Sequence, residues 1–158
     1  MRVQMTARAV IGAQFGDEGK GRVTDYYAAE VGRDGIVIRF NGGAQAGHTV
    51  VTPDGSRHVF SHVGSGAFAG ATTFLSRFFV SNPILFRKEM DALAAKGVKP
   101  AIYVDPQSPV TTPYDMMINQ IVEQERGGER HGSCGVGFGE TIERNLMPAY
   151  ALTVADLA

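Results

Sequence analysis

Cysteine is almost absent from this chain of 158 residues, and tryptophan is missing altogether. The lone Cys134 excludes an intrachain disulfide, and with no cysteine cluster there is no thiolate zinc site, so a reducing, cytoplasmic setting fits best. Charge of one sign is lacking too. Fifteen Lys and Arg against sixteen Asp and Glu leave a net charge of −1, so no global field draws the protein to nucleic acid or to an anionic membrane. Long apolar runs are also scarce. Ala9-Val10-Ile11, preceded by Arg2 and Arg8, soon meets a polar glycine loop and is too short for a signal segment or a membrane span.

Glycine and ordinary core residues are plentiful. A hydrophobic content of 44% suffices for one compact domain with a buried core, and no internal boundary divides residues 1–158. The twenty glycines cluster at 12–21, 42–47, 64–70 and 127–139, which marks backbone-shaped loops as the carriers of function. Ala9–Ile11 reads as a short buried strand that ends at the first loop, and a helix follows from Gly21. Ile36–Phe40 reads as a second buried strand ending at another glycine loop. Residues 49–52 and 57–60, around Pro53-Asp54-Gly55, predict a hairpin. A helix starts at Asn82-Pro83 and ends near Gly97, with Phe86, Met90 and Leu93 on one face. Ala101–Val104 predicts a strand. From Pro113 to about Arg126 a helix is expected to bury Met117, Ile118, Ile121 and Val122, and a short helix is expected over 140–145. The fold class is therefore α/β: a P-loop-like, largely parallel sheet flanked by helices, with a small β-hairpin excursion.

Chemistry concentrates in two loops. Gly12-Ala13-Gln14-Phe15-Gly16-Asp17-Glu18-Gly19-Lys20-Gly21-Arg22 is a phosphate cradle in composition, since glycines let backbone N–H groups approach an anion and Lys20 supplies a point charge. It departs from a standard P-loop because Gln14 replaces the leading glycine and Gly21 replaces the hydroxyl that would contact Mg²⁺; Asp17 is the substitute ligand. The second loop, Asn41-Gly42-Gly43-Ala44-Gln45-Ala46-Gly47-His48-Thr49, places an amide and an imidazole on tightly folding backbone. If both loops leave strand ends of one sheet, they meet over one site. A third segment, His131-Gly132-Ser133-Cys134-Gly135-Val136-Gly137-Phe138-Gly139-Glu140, can aim amides at an anion or serve merely as a connector. His58, His62 and His131 show no metal-ligand spacing and read as structural or surface residues.

Together these stretches resemble the N-terminal region of the adenylosuccinate synthetase family. That resemblance implies a purine nucleotide ligase: GTP (or ATP) phosphorylates the 6-oxygen of a purine monophosphate, IMP in the family, and L-aspartate displaces phosphate. It further implies Asp17 as the base at purine N1, His48 as the acid partner with a protonated ring, and Lys20 as the phosphate clamp. Gly16, Asp17, Glu18, Gly19, Lys20, Gly21 and Arg22 with Gly47, His48 and Thr49 would bind the triphosphate. Gln45, Ala46, Ser133, Cys134 and Gly135 would hold the monophosphate. Mg²⁺ would sit on Asp17 and the Gly47 carbonyl. Gln45, Cys134 and Val136 depart from the family's Asn, Thr and Arg, so an alternative is a variant ligase for another purine such as (d)GMP. A further alternative is a nucleotide-binding piece without independent catalysis, because the resemblance stops before the family's aspartate and guanine loops. A homodimer or a companion C-terminal chain is expected on the same ground. The family arginine that reaches a neighbouring subunit falls at Pro148, with Arg144 as its substitute one turn earlier.

Overall fold

The computed structural model describes residues 6–157; Arg2 and the other terminal positions of 1–158 lie outside the described residues. In chain order the main elements are α1 (Lys20–Val31), β1 (Ile36–Gly43), β2 (His48–Val51), β3 (Arg57–Phe60) and β4 (Thr72–Val80), then α2 (Pro83–Ala94), β5 (Ile102–Val104), α3 (Pro113–Glu125) and α4 (Phe138–Asn145). The strands β1, β4 and β5 form a parallel sheet in the order β1-β4-β5, and β2 and β3 form a separate antiparallel hairpin. The α/β class with a hairpin excursion is therefore the observed architecture.

Local signals explain the helix ends. Asn82 accepts the Leu85 amide at 3.1 Å with Pro83 behind it, and Thr112 with Asp115 forms a reciprocal capping box at the start of α3, each satisfying donors that the first turn leaves unpaired. The central strand β4 was not anticipated from the sequence. Its run is broken by Ser76 and Arg77, which hides the β-branched and aromatic signal of a strand that is nonetheless paired on both edges.

Two other expectations are corrected. Ala9–Ile11 forms no strand; the segment runs exposed, with Ile11 81% accessible. Three apolar residues cannot hold an extended segment without a ladder partner. Arg8 instead ties this segment to α1, stacking 4.3 Å over Tyr27 and pairing with Glu30. The helix α3 forms where expected, but Met117, Ile118 and Ile121 face outward at 50–55% exposure, while Asp115, Asn119 and Glu123 are the buried residues. The inward face follows its polar partners: Asn119 donates to Glu140, Asp115 accepts from Arg144, and Glu123 accepts the amides of Gly132 and Ser133.

The main apolar cluster joins Val50 and Phe60 of the hairpin to Val63, Ala67 and Leu93, with Met90 and Ile102 packed against it. A buried carboxylate stitches the same region. Glu89 on α2 accepts from the amides of Ser61 and His62 at 2.9 and 2.7 Å and from the Ser61 hydroxyl at 2.8 Å. His62 accepts the Asn82 amide on Nε2 at 3.0 Å, which leaves its Nδ1 toward Ser61 and Glu89. Burial would raise the Glu89 carboxyl, but hydrogen bonds from His62 and Ser61 outweigh it and hold the group at about 2, below its ordinary 4.5.

A depressed folded-state value stabilises the protein above the unfolded value and loses that contribution as pH falls through the folded one. For Glu89 the contribution is on the order of 3 kcal/mol, present above pH 4.5 and lost toward about 2. Glu89→Gln is expected to lower unfolding stability by about 2–3 kcal/mol at pH 7, with the gap to wild type closing as the pH drops through this window. Thermal unfolding of both proteins across the acid range measures it, and a pH-independent gap would exclude Glu89 as its source.

Candidate active site

The first glycine loop leads directly into α1 through two left-handed residues, Asp17 at φ 57° and Gly19 at φ 79°. A non-glycine residue in that region carries strain of about 1 kcal/mol or more, and Asp tolerates it better than most because of its short polar side chain. The strain turns the chain sharply enough to present Asp17 on the open side of the loop. Among the described residues no hydrogen bond engages the Asp17 side chain, so its carboxylate oxygens are free to accept or to ligate.

The second loop leaves the end of β1 and enters the hairpin at His48. The two loops touch at one point. A Cβ added to Gly21 would stand 2.4 Å from the His48 Cβ and 2.9 Å from its Cα, so the first turn of α1 packs directly on the imidazole-bearing backbone. Around this contact lies a cleft of about 390 Å³ lined by Asp17 through Arg22 on one side and by Ala46, Gly47, His48 and Thr49 on the other. The structure thus gathers the expected triphosphate residues, apart from Gly16, around one space. Gln45 is exposed beside the loop, and Ser133, Cys134 and Gly135 stand outside the cleft. Ser133 is instead bound to Asn119 and Glu123, and the Gly135 carbonyl accepts from Gln120 at 3.0 Å. Phe138, just after this segment, does reach the second loop: a Cβ on Gly43 would meet its ring at 2.9 Å.

Electrostatics separate the roles of the polar groups. The Lys20 ammonium pairs with Glu18 at 2.6 Å, and the same carboxylate accepts the Gln14 amide at 2.8 Å. The Lys20 hydrogen bond, followed by that amide, draws the Glu18 carboxyl down to about 2. Lys20 thus rests on an anionic partner inside its own loop. His48 lies in the opposite field. Burial, then the Arg39 guanidinium, then Lys20 push the imidazole down to about 4, so the ring is neutral at pH 7 in this arrangement. Arg39, buried on β1 and 3.3 Å from His48 Nδ1, is the polar neighbour that the sequence reading missed. The signal available was a single charge inside the run Ile36-Val37-Ile38-Arg39-Phe40, which a buried strand tolerates only with a partner.

Oxygen donors suit a hard divalent cation, and Mg²⁺ is held by one or two carboxylates together with substrate phosphates and water. Asp17 and Gly47 both line the cleft, and this donor set fits Mg²⁺; among the described residues no cluster of three or more His, Cys, Asp or Glu offers an all-protein cage.

Arg144, the expected substitute for a subunit-crossing arginine, is engaged within its own chain. Its Nε and Nη2 donate to Asp115 at 2.9 and 3.0 Å, Nη1 donates to the Tyr150 carbonyl and Nη2 to the Val110 carbonyl, both at 2.7 Å. Four of its five N–H donors join α4 to α3, to Val110 before α3 and to Tyr150 after α4. His58 and His62 are buried beside Glu89, and His131 is exposed.

Two substitutions probe the loop geometry. Gly21→Ala forces a Cβ into the His48 backbone and is expected to cost about 1–3 kcal/mol, read as a lower urea midpoint. Asp17→Gly relieves the left-handed strain and is expected to raise stability by about 1 kcal/mol. A stabilised Gly21→Ala protein would contradict the close approach of the two loops.

Comparison with known proteins follows the same outline. The family model described as "Adenylosuccinate synthetase" matches residues 9–158. The adenylosuccinate synthetase of Borrelia turicatae is 33% identical over 93% of this chain, which spans 32% of that protein. The chain spans about a third of the length of the curated relatives it matches. Among solved structures, the fully ligated adenylosuccinate synthetase of Plasmodium falciparum aligns over 91% of this chain and 33% of its own, with a TM-score of 0.76 and 23% identity. The succinoaminodeoxyadenylate synthetase of cyanophage S-2L, bound to dGMP and dATP, aligns over 89% of this chain and 39% of its own, with a TM-score of 0.69 and 22% identity. Those two likenesses concern the fold, whereas the family match runs through both glycine loops and the third segment: the chain belongs to the adenylosuccinate synthetase family.

Proposed function

We propose that residues 1–158 form one nucleotide-binding α/β unit that supplies the phosphoryl-transfer half of a purine nucleotide ligase. The reading rests on one observation: in a chain of this family, Asp17, Lys20 and His48 line a single cleft built from two glycine loops. In the reaction, Asp17 takes the N1 proton of the purine monophosphate, IMP in the main reading. The 6-oxygen then attacks the γ-phosphorus of GTP, the bond to the β,γ-bridging oxygen breaks, and the amine of L-aspartate later displaces inorganic phosphate. Mg²⁺, held by Asp17 and the Gly47 carbonyl, would neutralise phosphate charge.

Each side chain has a task consistent with its surroundings. The Asp17 carboxylate is unencumbered on strained backbone, as a base and oxygen ligand requires. Lys20 leaves Glu18 for phosphate oxygens and holds them in line, while the loop amides at the start of α1 face the same charge. His48 donates an N–H to the oxygen on which negative charge develops. Burial first, then Arg39 and Lys20, keep the ring neutral at rest; bound phosphates beside Lys20 would offset the Lys20 share and so favour the acid role.

Cys134 and Val136, where the family carries Thr and Arg, together with the likeness to a synthetase structure bound to dGMP and dATP, support a second reading in which the substrate is a guanine (deoxy)nucleotide. The partners proposed are a purine monophosphate, a nucleoside triphosphate and L-aspartate. A homodimer or a C-terminal companion completes the site. Exposed apolar side chains on β1 and α3 suit such contacts.

Incubating the protein with IMP or dGMP, GTP or ATP, Mg²⁺ and aspartate, followed by mass analysis, decides among these. A succinyl-purine product of the IMP series supports the main reading, and one of the guanine series the second. Nucleotide binding by calorimetry with no phosphate release, alone or with a C-terminal companion, would leave only a binding module. In the active assembly, Asp17→Asn and His48→Asn are each expected to lower turnover by about 10²–10⁴-fold with the fold retained, since Asn accepts the left-handed backbone at 17. Unchanged turnover in either variant would remove that residue from the mechanism.

A further inference from the structure

A buried guanidinium stands directly behind His48. Arg39 on β1 is 6% exposed, and its guanidinium carbon lies 5.2 Å above the Phe79 ring of β4. Its Nη1 is 3.3 Å from His48 Nδ1. Arginine has five N–H donors and no acceptor, and it stays charged at neutral pH even where, as here, burial brings it down to about 10. The contact therefore has one chemical sense: Arg39 donates and Nδ1 accepts. An imidazole whose Nδ1 lone pair is occupied must carry its proton on Nε2.

We infer that Arg39 is a positioning residue for His48, fixing the ring as the Nε2–H tautomer so that its single N–H faces away from the strand interior and is available to a group in the cleft. The backbone on the other side agrees. His48 is clamped where Gly21 of α1 touches its Cβ and where β2 pairs it with Phe60 of β3, so the ring has a rigid base as well as an oriented edge. Two cations face the imidazole, Arg39 from β1 and Lys20 from α1, but only Arg39 is within hydrogen-bond reach of Nδ1 among the described residues. The other nitrogen is thereby left as the donor. This deepens the reading of His48 as the group that donates to developing charge, and it rests on that reading for its catalytic meaning; the tautomer itself is measurable without turnover.

The test is two-bond ¹H–¹⁵N correlation spectroscopy of the full chain with ¹⁵N-labelled histidine near neutral pH, with His48→Gln identifying the resonance. The wild-type protein is expected to show His48 as a single Nε2–H tautomer, its Nδ1 resonance displaced from that of a free unprotonated nitrogen by the hydrogen bond. Arg39→Met, which keeps bulk over Phe79 and deletes the donor, is expected to lose that displacement and to show a mixture of tautomers. An Nδ1–H ring in the wild type, a free Nδ1 resonance there, or an unaltered signature in a natively folded Arg39→Met would each overturn the inference. Should Arg39→Met fail to fold, the two wild-type readouts decide the matter alone. Loss of turnover in His48→Asn with an Nδ1–H wild-type ring would sink the role of Arg39 while leaving that of His48 standing.

Discussion

The helix α1 lies as close to its neighbours as it does because glycine has no Cβ where the surfaces cross. At Gly21 a side chain would collide with His48 at 2.4 Å, and at Gly66, in the turn before β4, it would collide with Ala28 of α1 at the same distance. These two contacts pull opposite ends of α1 inward. One end carries the first glycine loop to the hairpin, and the other seats Ala28 on Val37 of β1 and on Ala71 just before β4. Close packing of this kind leaves little room for adjustment, since interiors are filled to near crystal density. The cleft, its donors and its cations are consequences of that approach.

Two of the cations around His48 have a resting partner. Lys20 holds Glu18, and Arg39 holds the neutral face of His48. The first partner is an exposed carboxylate on a loop; the second pair is built into the β1–β4 pairing, with Phe79 beneath the guanidinium. One cation is therefore held by an exposed ion pair and the other by the packed sheet.

Elsewhere polarity is inverted relative to simple amphipathic expectation. The inner face of α3 is Asp115, Asn119 and Glu123, tied by charge-assisted hydrogen bonds to Arg144, Glu140 and the loop at 131–133, while Met117, Ile118 and Ile121 look outward. On the sheet, Val37 and Arg39 face the packed side and Ile36, Ile38 and Phe40 the open side, each of the three more than 60% exposed. Hydrogen-bonded buried polar groups fix register where apolar packing alone would permit slippage, although Glu140 Oε2 in this network has no partner among the described residues.

Much of this could be read in advance where a local rule sufficed. Caps at Asn82 and Thr112, the turn at Pro53–Gly55, the β-branched run of β1 and the two glycine loops are decided by a few adjacent residues, and they appear in the structure with nearly the expected bounds. What failed needed knowledge of partners. Ala9–Ile11 had the composition of a strand but no neighbour to pair with, β4 had pairing on both edges but a broken pattern, and the α3 stripe faced outward because its polar side had better bonds to make. The contact of Arg39 with His48 and the engagement of Arg144 within its own chain are of the same kind. By itself the sequence determined the family and the local conformations, because those depend on residue type at short spacing; only the tertiary structure decided which faces are buried, which arginine meets His48 and which groups share the cleft, because those depend on contacts between residues far apart in the chain.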